Sequence, residues 1–247
     1  MIIVARGCKL RSLLGLVART AEEHRLIANE AIGTIMTNGS SMEQERRQPI
    51  MGILLDPPNA ITFVGALSAM SACAMAVMGE YNLALICVLW SHLADSLDGL
   101  VARRMHHRQS GMSDVGKAMD ALGDFLSAGV FPLIFLASLG EAAPFPTFAG
   151  LLICAAGILR LSYFEAFGLS GGSFVGVPLP HNILVFALSY YLGSQIVADH
   201  LILLMGAVAV IMSGLHLSSI RFPKMNVTWI ALSAVFIAAM SALLALQ

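Results

Sequence analysis

Leu83–Val101 reads Leu-Ala-Leu-Ile-Cys-Val-Leu-Trp-Ser-His-Leu-Ala-Asp-Ser-Leu-Asp-Gly-Leu-Val. Its length and apolar content are those of a membrane span, which needs about 20 residues to cross a hydrocarbon core of about 30 Å. Its two acids, Asp95 and Asp98, are what a span avoids, because a carboxylate at the bilayer centre costs about 2.5–3.5 kcal/mol on insertion scales. The next apolar stretch opens Gly116-Lys117-Ala118-Met119-Asp120-Ala121-Leu122-Gly123-Asp124 and carries the same conflict. How these two stretches are reconciled decides both the fold and the chemistry.

Around them the chain is built for lipid. Of 247 residues, 57% are apolar and 12% charged, and the mean hydropathy is +0.81. A soluble domain carries about 25% charged residues, so an ordinary cytosolic enzyme is excluded. The net charge of −1 gives no field to hold a nucleic acid. The four cysteines are scattered, without the paired spacing of a metal site, and read as small hydrophobes. Seven apolar runs are candidate spans: Ile61–Met78, Leu83–Val101, Ala118–Leu139, Pro146–Phe167, Ile183–Val197, Leu201–His216 and Trp229–Leu246. The fifth and sixth are short. The fold expected is all-α, a polytopic membrane bundle of six to seven transmembrane helices over 57–247.

Charge sets the orientation. The loops Gly79–Asn82, Gly140–Ala143 and Ala198–His200 hold Glu80, Glu141 and Asp199 and no Lys or Arg. The bases fall on the other side, which the positive-inside rule makes cytoplasmic. The segment 1–56 is expected to lie on that side too. Its first 20 residues interleave Arg6, Lys9, Arg11 and Arg19 with Ile2, Ile3, Leu10, Leu13, Leu14 and Val17 and hold no acid. An amphipathic helix on the anionic inner leaflet is one reading. An organelle-targeting segment and a mobile tail are the others.

Asp95 and Asp98 are spaced i, i+3, and Asp120 and Asp124 i, i+4, so each pair shares one helix face. The linker Arg104–Val115 is short enough to make the two helices antiparallel neighbours, with the pairs facing one another at the cytoplasmic end. Arg103, Arg104 and Lys117 are too few and too shallow to neutralise four acids. A divalent cation would do so, and oxygen-only ligands favour Mg²⁺, Mn²⁺ or Ca²⁺ over zinc or copper. Gly99 and Gly116 let a ligand approach the helix backbones, and Arg103 can pair with phosphate. The constellation reads as a metal–diphosphate site. A proton or cation pathway is the rival, since intramembrane acids mark those as well.

Asp95-x2-Asp98-Gly99-x2-Ala102-Arg103 followed by Gly116-x3-Asp120-x3-Asp124 resembles the signature of the CDP-alcohol phosphotransferases. The linker after Arg103 is longer than the family's usual spacing, and its Met105-His106-His107-Arg108 part is expected to bulge into the cytoplasm. Pro58-Asn59-Ala60-Ile61-Thr62 resembles the family's entry to its first core helix. Three further stretches, Leu159–Phe164, Phe174–Pro180 and Leu217–Lys224, resemble motifs of its phosphatidylserine synthase branch, with departures at Ser162-Tyr163 and His181.

The resemblance implies an integral membrane enzyme that transfers a phosphatidyl group from CDP-diacylglycerol to a small polar alcohol, with L-serine as the acceptor, and releases CMP. It implies one or two Mg²⁺ or Mn²⁺ ions on Asp95, Asp98, Asp120 and Asp124, with Asp124 also the general base. Asn59, Thr62, Gly99, Ala102, Arg103 and Gly116 would form the nucleotide pocket, and Arg160, Arg221 and Lys224 would hold the acceptor. A homodimer in a bacterial cytoplasmic membrane, its site facing the cytoplasm, completes that expectation. Glycerol phosphate or inositol phosphate are alternative acceptors, and a cation-coupled transporter is the alternative outside the class. His92 reads as a packed interior residue, His181 as a weaker acceptor-pocket candidate, and His216 carries no assignment.

Overall fold

A computed structural model describes residues 49–105, 108, 111–168, 173–223 and 227–247, together with Glu22 and Arg25. The readings made for the first 20 residues lie outside these. From residue 50 onward the chain forms one compact helical unit. A 3₁₀ turn, Ile50–Leu55, leads into α1 (Pro57–Val77), α2 (Tyr81–Arg104), α3 (Met112–Leu139), α4 (Pro144–Phe167), α5 (His181–Ile196), α6 (Leu201–His216) and α7 (Val227–Ala245). Two three-residue strands, β1 (Ser173–Val175) and β2 (Arg221–Pro223), complete the described elements.

Six of the expected spans are helices long and apolar enough to cross a membrane, the sixth counted from Ala198 through the short 3₁₀ turn that precedes α6. The fifth differs. Helix α5 has 16 residues, about 24 Å at 1.5 Å per residue, short of a full hydrocarbon core. The outer faces confirm what surrounds the bundle: Val64, Leu159, Ile211 and Val235 are each more than 60% exposed. Apolar side chains on that scale face lipid in a protein of this composition.

Helix α1 opens on Pro57 and Pro58, which suit the first helical turn because they lack the N–H that would go unpaired there. Its buried face is the small-residue stripe Gly65, Ala69, Ala72 and Ala76. A Cβ on Gly65 would stand 3.0 Å from the Ala94 Cβ of α2, so the missing side chain sets how closely the two helices pack. Gly79, at φ +83°, turns the chain between them. Helix α3 begins six residues before the expected Ala118, so the last third of the polar linker is helical and Gly116 sits on a regular turn. At Leu126–Val130 α3 loosens into a π turn. There Asn182 of α5 donates to the Ala128 carbonyl at 2.6 Å.

The core lies below the acids. Phe131 and Phe135 of α3, Leu85 and Leu89 of α2, Ile153 of α4, Phe186 of α5 and Met205 of α6 are fully buried. Tyr81 and Tyr190 both meet the Phe135 ring edge-on at 5.5 Å. At the other end β1 and β2 pair antiparallel, with Phe174 opposite Phe222. The segment entering α5 and the segment leaving α6 are therefore stitched together at the acidic end of the bundle.

Candidate active site

The two aspartate pairs meet as their spacing requires. Ligand oxygens of Asp95, Asp98 and Asp120 lie within 4.8 Å of one another. Asp124 falls outside that group but lines the same cavity. Asp98 is buried and accepts a hydrogen bond from the Thr62 hydroxyl, which also lies 3.0 Å from the Pro58 carbonyl. Three carboxylates this close repel, by about 3 kcal/mol per ionised pair at an effective dielectric of about 20. The two ion pairs among the described residues leave them untouched: Arg108 pairs with Asp56, and Lys117 with Asp114. An oxygen-only donor set without a cationic side chain fits a hard divalent ion, Mg²⁺ or Mn²⁺.

Two cavities open from this cluster, and Asp98, Gly99 and Asp120 line both. The first, about 200 Å³, is walled by Asn59, Thr62, Ala102, Arg108, Gly116 and Lys117. Five of the six residues expected to bind the nucleotide gather there. Asn59 is fully buried, donates to the Met112 carbonyl at 3.2 Å and accepts from Arg108 Nη2 at 2.9 Å. Gly116 is required by that contact, since a Cβ on it would lie 2.5 Å from Asn59 Oδ1. Gly116→Ala is expected to force Asn59 aside and cost about 1–3 kcal/mol of stability, the usual range for overpacking. Thermal unfolding in detergent would register this as a lower Tm, and an unchanged Tm would refute the contact.

The sixth expected residue lies elsewhere. Arg103 donates from Nε to the Gly99 carbonyl at 2.9 Å and lines the second cavity. The guanidinium of the first cavity is that of Arg108. Rather than bulging outward, Arg108 folds back to Asp56 at the entry of α1, and from there to Asn59. Sequence reasoning missed it because nothing local marks a loop arginine as the partner of an aspartate 52 positions earlier.

The second cavity, about 290 Å³, is lined by Asp95, Arg103, Asp124, Arg160, Phe174 and Pro180, among others. Arg160 is 7% exposed. It donates from Nε to the Val177 carbonyl at 2.7 Å and lies over the Phe174 ring at 5.8 Å. One of its terminal nitrogens, Nη2, has no partner in the protein. His216 shares the Val177 carbonyl through Nδ1 at 2.9 Å and is buried behind Arg160. Phe174 opens the Phe174–Pro180 stretch singled out in the sequence, whereas His216 was not legible as a site residue. Arg221 is exposed on β2 and lines neither cavity. Lys224 lies outside the described residues. His181 lines a separate cavity with His92 instead of joining Arg160.

The chain matches the family model described as CDP-alcohol phosphatidyltransferase over residues 55–213. The protein thus belongs to the CDP-alcohol phosphatidyltransferase family and is a transferase of phospholipid synthesis, integral to the membrane. Among its curated relatives is the archaetidylserine synthase of Methanothermobacter thermautotrophicus, 33% identical over 175 residues that make up 68% of this chain and 70% of the relative. Another is the CDP-diacylglycerol–serine O-phosphatidyltransferase of Methanocaldococcus jannaschii, 27% identical over 66% of this chain and 72% of the relative.

Proposed function

We propose that this enzyme moves the phosphatidyl group of a CDP-diacylglycerol-type lipid to the hydroxyl of L-serine and releases CMP. The observation that carries the acceptor is Arg160. A buried guanidinium with an unpartnered Nη2 on a site cavity calls for an anion, and a carboxylate meets it with charge-assisted hydrogen bonds. The names of both relatives, an archaetidylserine synthase and a CDP-diacylglycerol–serine O-phosphatidyltransferase, point the same way.

In this reading the cytidine diphosphate lies along the first cavity, against Asn59, Thr62, Ala102 and Gly116. Its diphosphate reaches Asp98 and Gly99, where the cavities meet. One or two Mg²⁺ or Mn²⁺ ions held by Asp95, Asp98 and Asp120, with Asp124 adjoining, would neutralise charge on the diphosphate and on the departing CMP. Serine occupies the second cavity with its carboxylate on Arg160, and Arg103 stands at that cavity as a further cation. Asp124 takes the proton of the serine hydroxyl. The hydroxyl oxygen bonds to the phosphorus that bears the lipid. The bond from that phosphorus to the bridging oxygen breaks, and CMP leaves with that oxygen. The catalytic domain is 57–247, assembled as a homodimer, with 1–56 a cytoplasmic segment. The site faces the cytoplasm in this reading, which the lack of Lys and Arg in the opposite loops supports.

The test is CMP release from CDP-diacylglycerol with serine, glycerol phosphate, inositol phosphate and other alcohols in turn. Serine should be the preferred acceptor, and turnover with glycerol phosphate or inositol phosphate in its place would overturn it. Arg160→Ala should raise the KM for serine by at least tenfold and leave that for CDP-diacylglycerol within twofold. Arg221→Ala, outside both cavity linings, should leave both near the wild-type values. A rise confined to the lipid substrate would move Arg160 to the diphosphate side.

A further inference from the structure

A third cavity, about 240 Å³, lies between α2, α5 and α7 and shares no lining residue with the two cavities of the active site. His92 and His181 line it, with Ser233. The rest of its wall is apolar: Leu184, Phe222, Leu232 and Phe236, with Trp229. His92 is only 3% exposed. The His181 ring packs edge-on against Phe222, centroids 4.9 Å apart. The Nδ1 atoms of both histidines are shielded from solvent and have no hydrogen-bond partner in the protein.

Buried polar atoms in native proteins are paired, and two unpaired ring nitrogens on one cavity need an occupant. A metal ion does not fit, because no third ligand of the usual kinds comes within reach among the described residues. A single water can meet the two ring nitrogens and Ser233, but the apolar remainder of the cavity offers further waters no polar partners. The occupant must be mostly hydrocarbon and carry an oxygen able to accept an N–H.

Position identifies that oxygen. Trp229 and Leu232, on the cavity wall, are 54% and 56% exposed on a helix apolar enough to cross a membrane, so the cavity borders the lipid. Trp229 stands in the first turn of α7, at the end of the bundle where β2 lies. Tryptophan at a span end marks the membrane–water interface, the depth at which glycerolipids carry their ester or ether oxygens.

We propose that this cavity binds a membrane glycerolipid other than the reacting one, its chain against Leu184, Leu232 and Phe236 and its ester or ether oxygen held by His92 and His181. One turn of α2 separates His92 from Asp95, so the bound lipid buttresses the helix face that carries the acids. The proposal does not depend on the identity of the acceptor.

The test is native mass spectrometry of the full chain in detergent, titrated with phosphatidylglycerol. The wild type should retain one phosphatidylglycerol per protomer under activation that strips loosely held lipid. Ser233→Phe fills the cavity from α7, and His181→Leu removes ring nitrogens while keeping apolar bulk. Each should cut the retained fraction at least tenfold. CDP affinity, measured by calorimetry with Mg²⁺, should stay within twofold of the wild type and reports correct folding. If one variant loses CDP binding, the other decides. Equal retention in wild type and variants overturns the proposal. So does undiminished phosphatidylglycerol retention with a raised KM for CDP-diacylglycerol alone, which would give the cavity to the reacting lipid.

Discussion

Asp124→Asn is expected to lower kcat by about 10²–10⁴, the usual span for loss of a general base, while the affinity for CDP changes by less than threefold. The separation follows from position. Asp95, Asp98 and Asp120 form the tight oxygen cluster, and Asp124 stands beside it on the second cavity, with Arg160. An amide at 124 keeps the shape and removes the proton acceptor. Asp98→Asn is the contrast, because Asp98 belongs to the cluster and to both cavities. There CDP binding and turnover should fall together. Near-normal kcat in Asp124→Asn at saturating Mg²⁺ would remove the base from the mechanism.

Chelation is expected to have the larger effect still. EDTA should bring CMP release to background, and added Mg²⁺ or Mn²⁺ should restore it. The cause is electrostatic. The three clustered carboxylates have no cationic side chain among them, and a diphosphate adds further negative charge, so substrate cannot settle there without a counter-ion. Arg108 cannot stand in, because its guanidinium is committed to Asp56 and Asn59. Turnover that survives exhaustive chelation would show that the lysine and arginine side chains suffice.

The bundle was legible because lipid imposes a simple demand on sequence. Every span must be long and apolar, and that pattern fixed six of the seven expected crossings to within a few residues at most ends. The acids were legible for the complementary reason. Asp95, Asp98, Asp120 and Asp124 violate the pattern, and helical spacing alone places each pair on one face. What stayed hidden depends on contacts distant in the chain. The Arg108–Asp56 pair spans 52 positions and rides on a polar loop with no periodicity. Arg103 was placed with the nucleotide because it lies next to the motif, yet its helix turn carries it to the other cavity. Arg221 was grouped with Arg160 by charge, but pairing of β2 with β1 leaves it outside. The start of α3 was missed because polar residues 112–117 look like a linker until Asn59 and Met112 are seen in contact.

The π turn at Leu126–Val130 gives α3 two phases. A regular helix advances about 100° per residue, so the extra residue held in a π turn offsets the half above it from the half below by about that much. Above it, Asp120 and Asp124 look into the cavities; below it, Phe131 and Phe135 fill the core. On a helix of uniform pitch residues 120, 124, 131 and 135 would share one face, so it is the π turn that turns the phenylalanines away from the direction of the aspartates. The chain therefore keeps two clocks on one rod, and the site can be re-aimed without repacking the interior. Residues 126–130 are where a one-residue gap would fall when α3 is aligned with a straight helix of the same length.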